Sequence, residues 1–190
     1  MINFKFKIFL LLYILVLIFL GPVRKTQAYV YAGCKWPTNT MYYDRSALST
    51  AWRNAVSFGR EQWNNVNPSP FSILIDDASQ NDVTLGTLPS SQAGYTYRHC
   101  IGTTITEADI IFNSTYSWYT GENSPGGLWD ARSVATHEFG HAIGLKHTQN
   151  SNCPSNDALK ATMCDGYNAG KTYFRTLESD DKSGINNTYP

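Results

Sequence analysis

Residues 137–147 read His-Glu-Phe-Gly-His-Ala-Ile-Gly-Leu-Lys-His, the pattern H-E-x-x-H-x-x-G-x-x-H. His137 and His141 are four residues apart, so on a helix both imidazoles project from one face and can reach one tetrahedral ion. Gly144 comes one turn later and can adopt a positive φ, which lets the chain turn sharply. That turn brings His147 back as a third nitrogen ligand. The stretch therefore predicts a helix that ends at a zinc site.

The glutamate inside this stretch indicates catalysis. Three neutral imidazoles leave one position of a zinc ion open for water, whose pKa can fall to about 7. Glu138 follows the first ligand and is placed to take a proton from that water and pass it to a leaving amine. A pair of histidines four apart can be an ordinary helix face, but the added glycine and third histidine at fixed spacing make coincidence rare. We expect Glu138 to be the catalytic base.

Apolar patterning around the motif predicts a mixed α+β domain. A period of 3.6 residues predicts a first helix over 46–66 with Ser46 as its N-cap, and the motif helix is expected to open near Asp130 as its N-cap. Short apolar or alternating runs predict strands. These runs are Lys35–Tyr43, Phe71–Ile75, Val83–Leu88 and Ile105–Phe112. Strands and two helices in this order favour an α+β or α/β domain with a mixed sheet.

The N-terminal segment predicts export. Met1–Lys7 carries two lysines, and Ile8–Leu20 is an unbroken apolar run, shorter than the roughly 20 residues of a membrane span. Thr26-Gln27-Ala28 offers small residues for cleavage after Ala28. We expect residues 1–28 to be a signal peptide and residues 29–190 to be one folded domain. An uncleaved signal anchor is the alternative.

Charge and cysteine content agree with an exported protein. The whole chain of 190 residues has 15 basic and 15 acidic side chains. All acids lie beyond residue 28, so the expected mature chain is mildly acidic, which argues against nucleic-acid binding. An even number of cysteines in an exported chain predicts two disulfides. Of three possible pairings we favour Cys153–Cys164, which leaves Cys34–Cys100; a four-thiolate zinc site would be expected to show a C-x-x-C pair.

The extended motif resembles that of the metzincin clan of zinc peptidases. The clan's second mark is a methionine turn beneath the metal, and Met163 lies 16 residues after His147. Within the clan, Leu145 and Thr148 are most similar to the corresponding positions of matrixins. Tyr167, four residues after Met163, matches the matrixin tyrosine that lines the S1′ substrate pocket. The resemblance implies one catalytic Zn²⁺ held by His137, His141 and His147.

The resemblance to matrixins covers nearly the whole expected mature chain. It extends to Ala55–Phe71 as the first helix and following strand, and to Leu177–Tyr189 as the last helix. Ala108–Asn113 resembles the edge strand above the cleft. The implied fold is a mostly parallel twisted sheet with two long helices. The zinc cleft then lies between an N-terminal subdomain and a small C-terminal subdomain that holds the methionine turn and final helix.

Several positions depart from the matrixin pattern. Asp165 stands where matrixins usually place a proline. His99 is the one histidine outside the motif, so no second, structural zinc is expected. Asn113-Ser114-Thr115 replaces acidic calcium ligands, which leaves a Ca²⁺ requirement open. No pro-domain fits between Ala28 and Cys34; Cys34 as a cap on the zinc is the alternative to its disulfide.

Together these features predict a secreted, monomeric zinc endopeptidase. Its partner would be a protein or peptide substrate in an extended conformation, bonded through its backbone along Ile110–Asn113. Neither nucleic acid nor, after signal cleavage, a membrane is an expected partner. Two alternatives stay open: a metzincin of a different subgroup, and a non-catalytic exported binding module that zinc merely stabilises.

Overall fold

A computed structural model describes residues 29–148, 153–154 and 156–190, so the expected signal peptide, residues 1–28, lies outside the described residues. Within the described ranges, no helix is long and apolar enough to cross a membrane. The helices are α1 (Thr50–Asn64), α2 (Ala131–Ala142) and α3 (Ser179–Thr188). The strands are β1 (Val30–Tyr31), β2 (Thr40–Tyr43), β3 (Ser72–Ile75), β4 (Val83–Gly86), β5 (Gly94–Ile101), β6 (Thr104–Asn113), β7 (Trp118–Tyr119), β8 (Trp129–Asp130) and β9 (Leu145–Lys146).

The strands beside the two longer helices pair both in parallel and antiparallel. β2 pairs in parallel with β3, and β4 pairs in parallel with β6. Asp44 joins the two groups, because its N–H donates to the Asn81 carbonyl at 2.9 Å and its carbonyl accepts the Val83 N–H at 2.9 Å. β5 runs antiparallel on the other side of β6. The predicted α+β fold with mixed strand pairing is confirmed.

The prediction that Ala108–Asn113 forms the edge strand is wrong. Residues 110–113 belong to β6, which lies between β4 and β5, so β5 is the outer strand of that group. A two-residue turn, with Gly102 at a φ of 60°, reverses the chain between β5 and β6. β5 has no apolar run because its side chains are alternately half-buried and exposed polar or aromatic residues. Apolar patterning therefore does not predict this strand.

The first helix also begins later than expected. Ser46 is not an N-cap, because its N–H donates to the Asp44 carboxylate and the chain turns again where the Leu48 N–H bonds the Arg45 carbonyl. This turn delays α1 to Thr50. The preceding strand is shorter than predicted as well: β2 begins at Thr40, and Lys35 forms a separate bridge to Thr104.

Close packing of α1 against α2 brings the motif helix into the core. A Cβ on Gly59 would lie 2.6 Å from the Thr136 nitrogen, so a side chain there would push the two helices apart. Trp63 is fully buried, and its indole N–H donates to the Thr136 carbonyl at 2.7 Å. These contacts fix the position of α2 against the rest of the domain.

One of the two disulfides joins segments that are far apart in the chain, and the other lies shortly after the motif. Cys34 is bonded to Cys100, which ties the N-terminal segment to β5, and Cys153 is bonded to Cys164. This is the pairing that the sequence favours. Since both Cys34 and Cys164 are buried, each bridge is part of the packed core.

Candidate zinc centre and substrate cleft

The predicted ligands lie at the end of α2 and just beyond it. His137 and His141 are one helical turn apart within α2. The chain then turns at Gly144, whose φ is 100° and whose Cβ position would lie 2.7 Å from the Cys34 carbonyl oxygen. Only glycine meets both requirements without strain. After the turn, β9 pairs with β1 and delivers His147 to the same side as the other two histidines.

The three imidazoles converge through their Nε2 atoms. The Nε2 atom of His137 lies 3.0 Å from that of His147 and 3.1 Å from that of His141. The Nδ1 atom of His137 bonds the Thr162 carbonyl at 2.6 Å, and that of His141 bonds the Leu145 carbonyl at 2.9 Å. Because a carbonyl only accepts, each Nδ1 carries the proton and each of these Nε2 atoms presents a lone pair.

This donor set fits a zinc ion. Two nitrogen lone pairs that face each other at 3.1 Å repel unless a cation lies between them. A tetrahedral zinc ion with Zn–N bonds of about 2.0–2.1 Å holds its nitrogen ligands roughly 3.3 Å apart. Burial lowers the pKa of His137 to about 4, with the nearby His147 adding to the effect. Burial also holds the pKa of His141 well below its ordinary value. Both rings are therefore neutral, as metal ligands must be, at physiological pH.

Met163 lies under the motif helix, where the resemblance places a methionine turn. It is buried, and a Cβ on Gly140 would lie 2.2 Å from its sulfur, so the glycine is what lets the methionine approach α2. The Met163 carbonyl accepts the N–H of Thr148 at 2.8 Å. The neighbouring Thr162 carbonyl is the one that orients His137. The turn thus supports the chain on both sides of the glycine bend.

Glu138 lies beside the ligands and is 4% exposed. The hydroxyl of Thr96 in β5 lies 2.7 Å from its carboxylate Oε2 and 3.0 Å from its backbone carbonyl. Burial raises the pKa of Glu138 to about 7, against the lowering effect of the Thr96 hydrogen bond. A carboxyl with a pKa near neutrality can both take up and release a proton at physiological pH.

A cavity of about 350 Å³ opens beside the three histidines. Its walls come from the motif helix, from the beginning of β5 and from the segment after Met163. Tyr167 lies in this wall, with its ring 5.0 Å from that of Phe174 and 5.8 Å from that of Trp129. These aromatic groups give the cavity an apolar side next to its ionisable centre, as ligand pockets commonly have.

Asp130 has a different role from the predicted helix cap. It stands at the N-cap position of α2, but its side chain makes no capping hydrogen bond. Instead its buried carboxylate receives Arg175 Nε at 2.6 Å and Nη2 at 3.1 Å. Arg175 also donates to the carbonyls of Gly121 and Asn123 at 3.2 and 3.1 Å. The arginine therefore ties the start of α2 to the loop before it.

Residues outside the motif occupy other parts of the molecule. His99 is exposed on β5, where its Nδ1 lies 2.8 Å from the Thr106 hydroxyl. Asn113 is buried at the end of β6, and its amide donates to the carbonyls of Leu88, Pro89 and Gln92. It therefore holds a loop in place with the same side chain that replaces an expected calcium ligand.

Sequence reasoning missed the contribution of β5 to the site. Gly94, Thr96 and Arg98 line the cavity, and Arg98 donates to the His141 carbonyl. A signal was present: alternating aromatic and polar residues run from Gly94 to a Gly102 turn directly before the apolar strand. Such alternation followed by a glycine turn is typical of a hairpin.

A helix that carries two histidine ligands and a glutamate, a glycine turn to a third histidine and a buried methionine below them define the metzincin class of zinc-peptidase domains. The family model for matrixin matches residues 39–190. The chain belongs to the matrixin family.

Matrix metalloproteinases are similar to this chain over most of its length. Stromelysin-3 of Mus musculus is 28% identical over 90% of this chain and 34% of its own length. Stromelysin-3 of Homo sapiens is 26% identical over 90% of this chain and 35% of its own. Matrix metalloproteinase-25 of Mus musculus is 25% identical over 89% of this chain and 29% of its own. The chain spans about a third of the length of these curated relatives.

Proposed function

We propose that this chain is a secreted zinc endopeptidase in which Glu138 is the general base. The observation that carries the proposal is the convergence of three imidazole Nε2 atoms beside a buried glutamate in an open cleft. The tautomers of His137 and His141 leave lone pairs for a metal, and the carboxyl has a pKa suited to proton transfer. Membership of the matrixin family supports the same chemistry.

The residues divide the reaction between them. His137, His141 and His147 would hold a zinc ion, which supplies a Lewis acid for the scissile carbonyl and for water. Glu138 accepts a proton from the attacking water at its carboxylate. The same carboxyl then donates that proton to the leaving amine nitrogen. Because Glu138 is buried, its carboxylate is poorly solvated and gains from taking up the proton.

The substrate is proposed to lie extended along β5, which replaces Ile110–Asn113 as the edge strand. A sheet edge offers backbone N–H and C=O groups to an added strand, which recognises the substrate main chain. β5 faces the motif helix through Gly94 and Thr96. We propose that the cavity beside Tyr167 takes one substrate side chain, as the resemblance to matrixins implies.

Export completes the proposal. We assign residues 1–28 to a signal peptide and residues 29–190 to the peptidase domain, acting as a monomer outside the cell. Two disulfides support an oxidising compartment. Expression of the chain from Met1 in a secreting host, followed by N-terminal sequencing of the protein in the medium, should give Tyr29 as the first residue. Retention of the chain in the membrane fraction would instead support the signal anchor.

The activity is tested on the secreted protein with a peptide library. We expect cleavage that a zinc chelator abolishes and that added zinc restores. Glu138→Gln should keep one zinc per chain and lose on the order of 10³-fold in kcat, because general-base catalysis contributes about that much. Glu61→Gln, on the surface of α1, is the matched control and should be unchanged. Zinc binding without cleavage by the unaltered protein would favour the binding module, and near-normal turnover by Glu138→Gln would overturn the base assignment.

A further inference from the structure

Two residues of β5 enclose the carboxyl group of Glu138. Thr96 places its hydroxyl 2.7 Å from Oε2. At Gly94, two residues earlier on the same strand face, a Cβ would lie 2.7 Å from Oε1 and 2.9 Å from Cγ of the glutamate. Residues i and i+2 of a strand point to the same side, so one face of β5 gives room to one carboxylate oxygen and a donor to the other.

This arrangement limits where the carboxyl can lie. A glutamate side chain has several rotatable bonds, and catalysis depends on holding the reacting group in one geometry. The Thr96 hydroxyl contacts Oε2 and leaves Oε1 without that donor, on the side where Gly94 has no side chain. Val134 in α2 closes the slot further, since the same Gly94 Cβ would lie 2.6 Å from its Cγ1.

We infer that Thr96 and Gly94 are positioning residues that hold the Glu138 carboxyl in its working orientation. The inference rests on the proposed function, because it assigns these residues a purpose in the same reaction. The alternative is a purely structural role for Thr96. Its hydroxyl also lies 3.0 Å from the Glu138 backbone carbonyl, and in that role its sole purpose would be to attach β5 to α2.

Substitutions at Thr96 separate the two roles. Thr96→Val keeps the shape and removes the hydroxyl, and Thr96→Ser keeps the hydroxyl. We expect Thr96→Val to lower kcat about 10-fold or more with KM within about threefold of the unaltered enzyme, since a hydrogen bond to a charged group is lost. Thr96→Ser should have a kcat within about threefold of that of the unaltered enzyme. Thr84→Val makes the same change in β4, which β6 separates from β5, and should leave both constants unchanged.

A glycine pair tests the other side of the slot. Gly94→Ala should lower kcat by at least as much as Thr96→Val, because the added methyl group displaces the carboxyl. Gly86→Ala is its control: it adds a methyl group in β4, where the nearest atom is the Cγ2 atom of Ile111 at 2.9 Å. We expect Gly86→Ala to keep the kcat of the unaltered enzyme.

Crystal structures of the zinc-loaded protein give a readout that does not depend on turnover. The unaltered protein should show one ordered Glu138 carboxylate within hydrogen-bond distance of the Thr96 hydroxyl, and Thr96→Val should show it displaced or in several conformers. A Thr96→Val protein with unchanged kcat and an unmoved carboxylate would overturn the inference. If Glu138→Gln is inactive while Thr96→Val is normal, the inference alone fails; if Glu138→Gln is fully active, the proposed function fails at its base.

Discussion

The carboxylate of Asp181 in α3 accepts the backbone N–H of Met163 at 3.0 Å. The same carboxylate accepts the N–H groups of Thr162 and Glu178, each at 2.8 Å. Since the Thr162 carbonyl bonds the Nδ1 atom of His137, the last helix helps to orient this histidine through Asp181 and Thr162. The turn under the three histidines therefore depends on a carboxyl group that belongs to a different element.

The stability of the fold should depend on pH because of this buried carboxyl group. Burial raises the pKa of Asp181 from 3.8 to about 6, although three backbone N–H groups favour its charged form. Because its pKa is raised in the folded state, Asp181 holds its proton more tightly there than in the unfolded state. The stabilisation of the fold by protonated Asp181 is complete below about pH 4 and is lost as the pH rises to about 6. The loss amounts to about 3 kcal/mol, by the usual 1.36 kcal/mol per pKa unit.

The titrating histidines change stability in the same range, so the measurement needs a reference. We propose urea unfolding of the metal-free protein from pH 4 to 7, compared at each pH with Asp181→Asn. Asparagine does not titrate, and the histidine contributions cancel in the difference. The unfolding free energy of the unaltered protein relative to the variant should fall by about 2 kcal/mol across this range, because the unfolded-state carboxyl is already more than half ionised at pH 4. A difference that stays constant with pH would contradict the raised pKa.

Metal content should depend on the three motif histidines and not on the fourth. His141→Ala removes one of the converging Nε2 atoms and should reduce bound zinc from one per chain to a small fraction at equal free zinc. His99→Ala changes an exposed histidine on β5 and should retain one zinc. Elemental analysis after dialysis measures this directly. Full zinc content in His141→Ala would show that the metal is held elsewhere.

The same pair of variants should differ in thermal unfolding. A ligand that binds only the folded state stabilises it by about 2.7 kcal/mol at a free concentration of 100 times its Kd. Zinc should therefore raise the Tm of the unaltered protein and of His99→Ala, and it should raise the Tm of His141→Ala far less. Equal increases in all three proteins would argue against the three-histidine site.

Close packing at Gly140 predicts a steric effect on stability. A methyl group there would lie 2.2 Å from the sulfur of Met163 and 2.7 Å from the Cζ2 atom of Trp63. Gly140→Ala should destabilise the fold by roughly 1–3 kcal/mol, as overpacking of a core does. Gly127→Ala is the control, because no atom lies within 4 Å of its Cβ position. Chemical denaturation of both variants would test this, and equal unfolding free energies would contradict it.

The sequence was sufficient to predict the cluster of three histidines, because the chemistry of a metal site constrains their spacing. His137 and His141 must lie one helical turn apart, and Gly144 must allow the bend that returns His147, so the pattern specifies local geometry. The fold class followed in the same way from apolar periodicity. Each of these features depends on residues close together in the chain.

Contacts between distant residues could not be derived in this way. Asp130 stands where a helix cap is expected, but its carboxylate instead pairs with Arg175, which is 45 residues away in the chain. Thr96 meets Glu138 across 42 residues, because the β5–β6 hairpin folds over α2. Neither strand order nor the choice between competing hydrogen-bond partners follows from spacing. The sequence thus predicted the three histidines that converge and missed Thr96, which contacts the Glu138 carboxyl group.

The buried ion pair between Arg175 and Asp130 should tolerate no replacement by lysine. Arg175 reaches both carboxylate oxygens, at 2.6 and 3.1 Å, while the side chain of Asp130 is fully buried. A lysine offers a single ammonium group without the planar fork, so it cannot pair both oxygens and also reach the loop carbonyls. Arg175→Lys should lower the unfolding free energy by about 2–4 kcal/mol, since it leaves a buried charge poorly paired. Arg60 pairs with Glu61, whose side chain is 55% exposed. Arg60→Lys should therefore lower the unfolding free energy by less than about 1 kcal/mol. Denaturation of the two variants under one set of conditions measures both values, and equal losses would show that the fork geometry at Asp130 does not matter.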